Sequence, residues 1–483
     1  MLYRSLKKLC KELSVPLTII YQKSIAEGCF PNIWKKAIIT PIPKGGDKHD
    51  VSQYRPISKL NILGKVLEKI VTESLTTEMR HVVPTEQHGF FQGRGVCTNL
   101  VQYTDYLLNA LDAGHQVDAV YTDFSKAFDK INHSTLLKKL ARIGIHGDLW
   151  RWICSYISNR SQAVALRACT SDFITITSGI PQGSHLGPFL FNLYLYDIGF
   201  CFRNSRHLLY ADDTKIFKII DSKDDCELLQ EDLRSFELYC KSNQLHLNID
   251  KCCYISFTRK HNPVSYEYRM LGRPIDRVSE VRDLGIYLDA KLHFNLHIDR
   301  IVTKAFKALG LIIRLSKPFR RCNTLKTLYM SYVRSVLEFG SVVWSPSYDV
   351  HVQRLEKVQK KFIKYLNYHS GNTDTDYKQS IKLHHMKSLC SRRVYLDAIF
   401  LYKIVNNYTS SPNLLSLVHF KVPRSFSSRS KDTFHIPFYH RNYAKNTFLR
   451  RSCTYYNKNL CKVDIFSSKL RNYKKQVSEL SDS

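Results

Sequence analysis

Three carboxylates carry the strongest chemical signal in this sequence. In "RHLLYADDTKIF" (206–217) an apolar run ends in two adjacent aspartates, Asp212 and Asp213. In "AVYTDFSKAFD" (119–129) a second apolar run ends in Asp123, and an aromatic residue, Phe128, follows five positions later. Alone, Ala-Asp-Asp is an ordinary turn, because Asp favours turns through local hydrogen bonds. Two strands that each end in an aspartate can also set their carboxylates side by side in a sheet. Three oxygen donors so placed suit a pair of hard cations such as Mg²⁺, which keeps bound waters and substrate phosphates. Two such ions roughly 3.5–4 Å apart stabilise both the attacking and the leaving oxygens of a phosphoryl transfer. Without cations the three carboxylates would repel one another and resist ionisation.

Two further segments could hold a substrate beside those carboxylates. In "SGIPQGSHLGP" (178–188), Gly179, Gly183 and Gly187 allow close backbone approach and Pro181 and Pro188 stiffen the loop. Gln182 there offers an amide to a base or sugar, and the loop is not a Walker A sequence. In "SQYRPISKL" (52–60), Arg55 stands beside a proline-fixed turn, with Lys44 a little upstream. A guanidinium and an ammonium in those places could clamp triphosphate oxygens.

The elements that must position these groups follow from hydrophobic periodicity. Residues 1–27 read as an amphipathic helix, and "KKAIITPIPKGGDKHD" (35–50) as a short strand broken by prolines and closed by a Gly-Gly turn. "NILGKVLEKIVTESLTTEM" (61–79) has helical spacing, with Ile62, Val66, Leu67, Ile70, Val71 and Leu75 on one face. "DAVYTDFSKAF" is a strand; the following "HSTLLKKLARIGI" is a helix capped by Ser134 or Thr135 and closed by Gly144. "QAVALRACTSDFITITSGIPQG" reads as a hairpin feeding the glycine loop, and "GPFLFNLYLYDI" as a buried helix. After about residue 290 the strands give way to helices. The clearest, "DVHVQRLEKVQKKFIKYL" (349–366), sets Val352, Leu355, Val358, Phe362 and Leu366 against a basic side with Lys357, Lys360, Lys361 and Lys364. That side is either a solvated face or the wall of a nucleic-acid channel.

Composition narrows the partner. The 483 residues hold 72 Lys plus Arg against 42 Asp plus Glu, a formal charge of +30, which points to a polyanion such as nucleic acid. From Lys421 onward 14 basic residues face 4 acidic ones, interleaved with Phe, Tyr and Ser. That mixture suits a single strand, whose bases stack and whose phosphates pair. A loosely packed subdomain would look much the same. The N-terminus carries charges throughout and lacks the pattern of a secretory signal. The longest apolar run is short for a bilayer span and contains Asp197, so no membrane partner is expected. The 14 cysteines form no Cys-x-x-Cys pair, against both zinc-finger spacing and a disulfide framework.

Taken in order, "YRPISKL", "TDFSKAFDKINH", "SGIPQGSHLGPFLFN", "LLYADDTKIF", "LHLNIDKCCYISF" and "VRDLGIYLD" resemble the successive motifs of a reverse transcriptase, in the form found in jockey-like non-LTR retrotransposons. Segments near residues 328–346, 435–448 and 464–477 extend the resemblance over nearly the whole chain. It implies an α+β fold, a right-hand polymerase with fingers and palm over residues 1–290, a helical thumb over 291–410 and a basic C-terminal region over 411–483. It implies RNA-directed DNA synthesis from dNTPs on an RNA template and a DNA primer, with two Mg²⁺ ions, for which Mn²⁺ can substitute. By the same match Asp123, Asp212 and Asp213 are the metal carboxylates, and Phe128 is the steric gate against a ribose 2′-hydroxyl. Gln182 and Gly183 touch the incoming nucleotide and template, Arg55 and Lys44 the triphosphate. Lys251 assists the pyrophosphate leaving group, and Gly285 sits in the hairpin that grips the primer. Members usually carry an endonuclease before the polymerase. None precedes this one, so the chain resembles a 5′-truncated element whose nicking enzyme is expected from elsewhere. The expected residence is intracellular, in the nucleus for target-primed synthesis or in the cytoplasm. The rival expectation is a catalytically silent remnant that only binds nucleic acid.

Overall fold

The strand Gln116–Thr122 (β3) is the central strand of a five-stranded sheet. Its residues are buried on both faces, apart from a half-buried Tyr121, and its polar members are paired: Gln116 Nε2 donates to Asp118 Oδ1 at 2.9 Å and Tyr268 O–H to Asp118 Oδ2 at 2.8 Å. In the computed structural model, which describes residues 8–319, 321–372, 375–422, 432–436 and 438–480, two separate cores cover those faces. Val117 and Ala119 pack into a core shared with the helix Val96–Asp112 and the helical C-terminal half. Val120 packs into the other, with the helices His133–Arg142, Gly147–Ile157, Leu186–Tyr194 and Lys223–Ser242. The neighbouring strands alternate in the same way. Phe217 and Ile255 face the first core, Ile216 and Tyr254 the second.

With Arg206–Tyr210 (β7), Asp213–Ile220 (β8), Cys253–Phe257 (β9) and Asp276–Arg277 (β12), β3 forms a sheet in the order β12-β9-β3-β8-β7. A hairpin, Glu280–Asp283 (β13) and Ile286–Asp289 (β14), follows it and carries Gly285 at its tip. A second sheet holds Lys36–Pro43 (β1), Tyr54–Lys59 (β2), Arg160–Leu166 (β4), Cys169–Thr170 (β5) and Ile174–Ile176 (β6). The prolines do not break β1. Pro41 stands directly opposite Pro56 of β2, a place in the ladder where neither residue has to donate an N–H. The parallel partner β4 reaches only as far as Ile39, short of those prolines.

Two other expectations are corrected, and a third is sorted between its alternatives. The helix Ile62–Glu78 buries Gly64, Leu67, Glu68, Val71 and Leu75, while Val66 and Ile70 stay 42% and 52% exposed. The apolar pattern misplaced the stripe because it rejects Glu68, whose carboxylate accepts the His185 N–H at 2.8 Å. The helix after β3 is capped by Asn132, which accepts from Thr135 N–H, and not by Ser134 or Thr135. In the C-terminal stretch the aromatic residues divide: Phe434, Phe448, Tyr456 and Tyr473 are buried in the core, while Phe438 and Phe466 are exposed. Part of that basic stretch, residues 423–431, lies outside the described residues, as do residues 1–7 of the first expected helix.

The last strand ends at Asp289, and long helices follow, among them Asn295–Leu315, Asp349–Ser370 and Leu389–Val405. On Asp349–Ser370, Leu355, Val358, Phe362 and Leu366 are buried, Val352 is partly exposed, and the four lysines face outward. Helices on both sides of residue 410 share one core: the ring of Tyr402 lies 4.5 Å from that of Tyr473. No helix among the described residues is long and apolar enough to cross a membrane.

Candidate active site

Register builds the site. β3 pairs antiparallel with β8, Thr122 opposite Thr214, and with β9, Tyr121 opposite Cys253. One step past the end of β3 these registers set Asp123 across from Asp213 on one side and from Lys251 on the other. Lys251 Nζ accordingly donates to Asp123 Oδ2 at 2.7 Å. Tyr210 pairs with Asp213, so Ala211 and Asp212 form the two-residue turn between β7 and β8. Ala211 takes the left-handed conformation, φ +59, which costs an L-residue with a Cβ and which such turns usually give to Asn or Gly.

Two residues that the motif reading passed over hold that turn. The buried Gln87 amide brackets the Ala211 peptide, accepting its N–H at 2.9 Å and donating to its carbonyl at 3.2 Å. The same oxygen accepts the Gly89 N–H at 2.8 Å. A Cβ on Gly89 would stand 2.2 Å from Ala211 N, so only glycine allows this approach. The signal in the sequence was "TEQHGF", a glutamine and glycine in an otherwise unassigned loop.

The carboxylates perturb one another. Burial raises the Asp212 pKa, Asp123 adds to it, and Arg55 and Lys251 oppose it. Asp213 is pushed up to about 6 by the surrounding protein, then by Asp212, Asp123 and Asp283. Asp123, Asp213 and Lys251 line a cavity of about 380 Å³, together with Lys215, Asp283 and Tyr210; Asp212 lies outside that lining. An all-oxygen donor set under mutual repulsion fits a hard divalent cation in kind and in charge. Among the described residues no three His, Cys, Asp or Glu side chains are already gathered round one ion position. The cation beside Asp123 here is the Lys251 ammonium.

The substrate-side residues are set by packing and by the glycine loop. The Phe128 ring stacks on Phe191 at 4.7 Å and meets the edge of Phe90 at 5.7 Å, which fixes its plane. Gln182 Nε2 donates to Asp129 Oδ1 at 2.9 Å, and its carbonyl accepts from Ser58 N–H at 2.8 Å, tying the loop to β2. Gly183 has φ +117, and a Cβ there would stand 3.0 Å from Ser58 O. Burial raises the Asp129 pKa, countered by Gln182, Lys126 and Lys44. Lys44 thus lies on the Asp129 side of the site and Arg55 on the Asp212 side.

A sheet ending in paired carboxylates, with a second sheet and a helical C-terminal part, is an α+β arrangement of the right-hand polymerase fold. A family model described as reverse transcriptase (RNA-dependent DNA polymerase) matches residues 42–317, more than half of the chain. The chain belongs to that family. It is 27% identical over 371 residues to the probable RNA-directed DNA polymerase from transposon BS of Drosophila melanogaster, covering 74% of this chain and 41% of that one. It is 28% identical over 365 residues to the RNA-directed DNA polymerase from mobile element jockey of the same species, covering 72% and 39%. The chain therefore spans about two fifths of the length of these curated relatives. Among solved structures, the telomerase of Candida Tropicalis with a fragment of telomeric RNA aligns over 98% of this chain and 68% of that one, at 13% identity and a TM-score of 0.44.

Proposed function

We propose that this chain is the RNA-directed DNA polymerase of a jockey-like non-LTR retrotransposon, joining a dNTP to a primer 3′-hydroxyl on an RNA template. The observation that carries the reading is the β3 register, which sets Asp123 between Asp213 and Lys251 at the sheet's edge. In this reading Asp123 and Asp212 hold divalent ions, two Mg²⁺, and Asp213 is the third carboxylate. Bound there, such ions supply charge neutralisation at the triphosphate and activation of the primer hydroxyl. Lys251, oriented by Asp123, presents Nζ–H to the departing pyrophosphate. Arg55 and Lys44 bind triphosphate oxygens, Gln182 and Gly183 line the nucleotide's other side, and the clamped Phe128 ring fills the space of a 2′-hydroxyl. Target-primed synthesis would place this work in the nucleus, at DNA nicked by an endonuclease.

Primer extension on an RNA template with Mg²⁺ tests this. Wild type should yield cDNA, and Asp212→Asn should lose about 100-fold or more, the scale of a lost charge-stabilising group. No cDNA from wild type would leave the rival, a nucleic-acid binder without turnover. Equal product from both would remove Asp212 from the site. Phe128→Val should admit ribonucleotides, and an unchanged sugar preference would refute the gate.

A further inference from the structure

A cavity of about 460 Å³ opens far from the carboxylates, between the helices Leu389–Val405 and Phe448–Tyr455 and the corner at Ser345. None of its lining residues lines the cavity at the sheet's edge. Its charged lining is Arg393, Arg450, Arg451 and Lys458 against a single carboxylate, Asp397.

That carboxylate is already taken. Arg451 bonds both oxygens of Asp397, Nε at 2.7 Å and Nη2 at 3.1 Å, and spends its remaining donors on the carbonyls of Asn446 and Val342. Arg393 is left over. It is 3% exposed and lines the cavity, yet it makes no hydrogen bond or ion pair with any described residue. Glu356 and Asp397 favour its charge through space, but neither accepts a hydrogen bond from it, the Glu356 carboxylate accepting instead from Tyr377 O–H and from the Leu389 N–H. A guanidinium in a buried residue whose N–H groups donate to no group of the chain is left for an acceptor in the cavity to complete. Five N–H donors in a planar fork match a phosphate in geometry and in charge.

The rim suggests what carries that phosphate. Lys458 is exposed and Arg450 half-exposed at the mouth, so the positive charge continues outward from Arg393. Tyr455 also lines the cavity, half-buried, and its ring stacks on no other ring among the described residues. A buried cation, outlying cations and an unstacked ring together suit one nucleotide of a single strand.

We propose that this cavity binds a phosphodiester of single-stranded RNA, with Arg393 on the phosphate and Tyr455 against the base. The choice of RNA rests on the polymerase reading above; the phosphate site itself does not.

Anisotropy of a labelled single-stranded RNA oligonucleotide, titrated with the full chain at several salt concentrations, tests it. Arg393→Met should weaken binding by about tenfold or more, the scale of losing hydrogen bonds to a charged group. It should also flatten the log–log salt slope by about 0.7, one phosphate of a single strand. Its melting temperature without RNA should fall little, because Arg393 gives up no hydrogen bond within the chain. Lys458→Gln, an exposed change, should weaken binding by about threefold and decides the matter if Arg393→Met does not fold. Unchanged affinity in a folded Arg393→Met, or in Lys458→Gln should that variant have to decide, would overturn the proposal. So would inorganic phosphate that stabilises wild type while RNA affinity stays the same in Arg393→Met, since the site would then take a free anion. Binding is read without synthesis, so a chain that makes no cDNA can still pass this test and an active polymerase can still fail it.

Discussion

Two lysine–aspartate pairs line the same cavity at the end of the palm sheet, and they differ in what water reaches. Lys215 and Asp283 lie 2.5 Å apart with side chains 5% and 6% exposed. Lys251 and Asp123 lie 2.7 Å apart with 65% and 25% exposed. The first pair is locked under the carboxylate turn, with Lys215 Nζ 4.4 Å from the Tyr103 ring, and it ties β8 to the β13–β14 hairpin. The second is held at the mouth, where solvent and incoming ions compete for Asp123. One contact chemistry therefore serves two ends: buried, it fixes the hairpin against the sheet; exposed, it holds a carboxylate where another cation can take the place of the lysine.

The largest expected effect comes from breaking the buried pair. Asp283→Ala leaves Lys215 uncompensated and should cost about 3–5 kcal/mol, read as a fall in the urea midpoint. Replacing both partners, Lys215→Met with Asp283→Leu, should recover most of that loss. A single variant that melts like wild type would show that the pair fixes nothing. Gln87→Leu should come next, at about 1–3 kcal/mol, because the Ala211 peptide loses both its partners. Nucleotide incorporation should fall with it as the turn loosens, and unaltered incorporation would detach Gln87 from the site. The smallest effect on stability belongs to the exposed pair. Lys251→Ala should change stability by less than about 1 kcal/mol, yet slow incorporation by about 100-fold, the scale of a lost proton donor. Unchanged incorporation would reduce Lys251 to a surface cation.

Much of this edge was legible in the sequence. Strands that end in aspartate, the glycine loop and the order of the motifs located Asp123, Asp212, Asp213, Phe128 and Gln182, and register brought the three carboxylates into mutual electrostatic range. Gln87 was not legible because it acts on a backbone 124 residues away, through an amide that no periodicity marks. Glu68 misled the helix pattern for a related reason: its partner, the His185 N–H, belongs to a distant loop. The C-terminal aromatics could not be sorted because mixed basic and aromatic composition does not say which rings turn inward; burial of Phe448 and Tyr473 and exposure of Phe438 and Phe466 do. Lys251 came from the family resemblance but its partner did not, and the β3–β9 register is what pairs it with Asp123.

If the carboxylates at the strand ends hold a cation, its binding must depend on pH. Asp212 and Asp213 titrate above the ordinary Asp range in the folded chain, Asp213 at about 6. In such a case the folded state binds the extra proton, so stability is greatest below the unfolded pKa and falls as pH rises towards about 6. Above that Asp213 is ionised beside its acidic neighbours, and a divalent ion should relieve the repulsion that raised it. The direct measurement is the shift in melting temperature on adding Mg²⁺, at pH 7.5 and at pH 5, in wild type and in Asp212→Asn. The account predicts a clear rise for wild type at pH 7.5, a much smaller one at pH 5 and little in the variant. Equal shifts in both proteins at both pH values would contradict it.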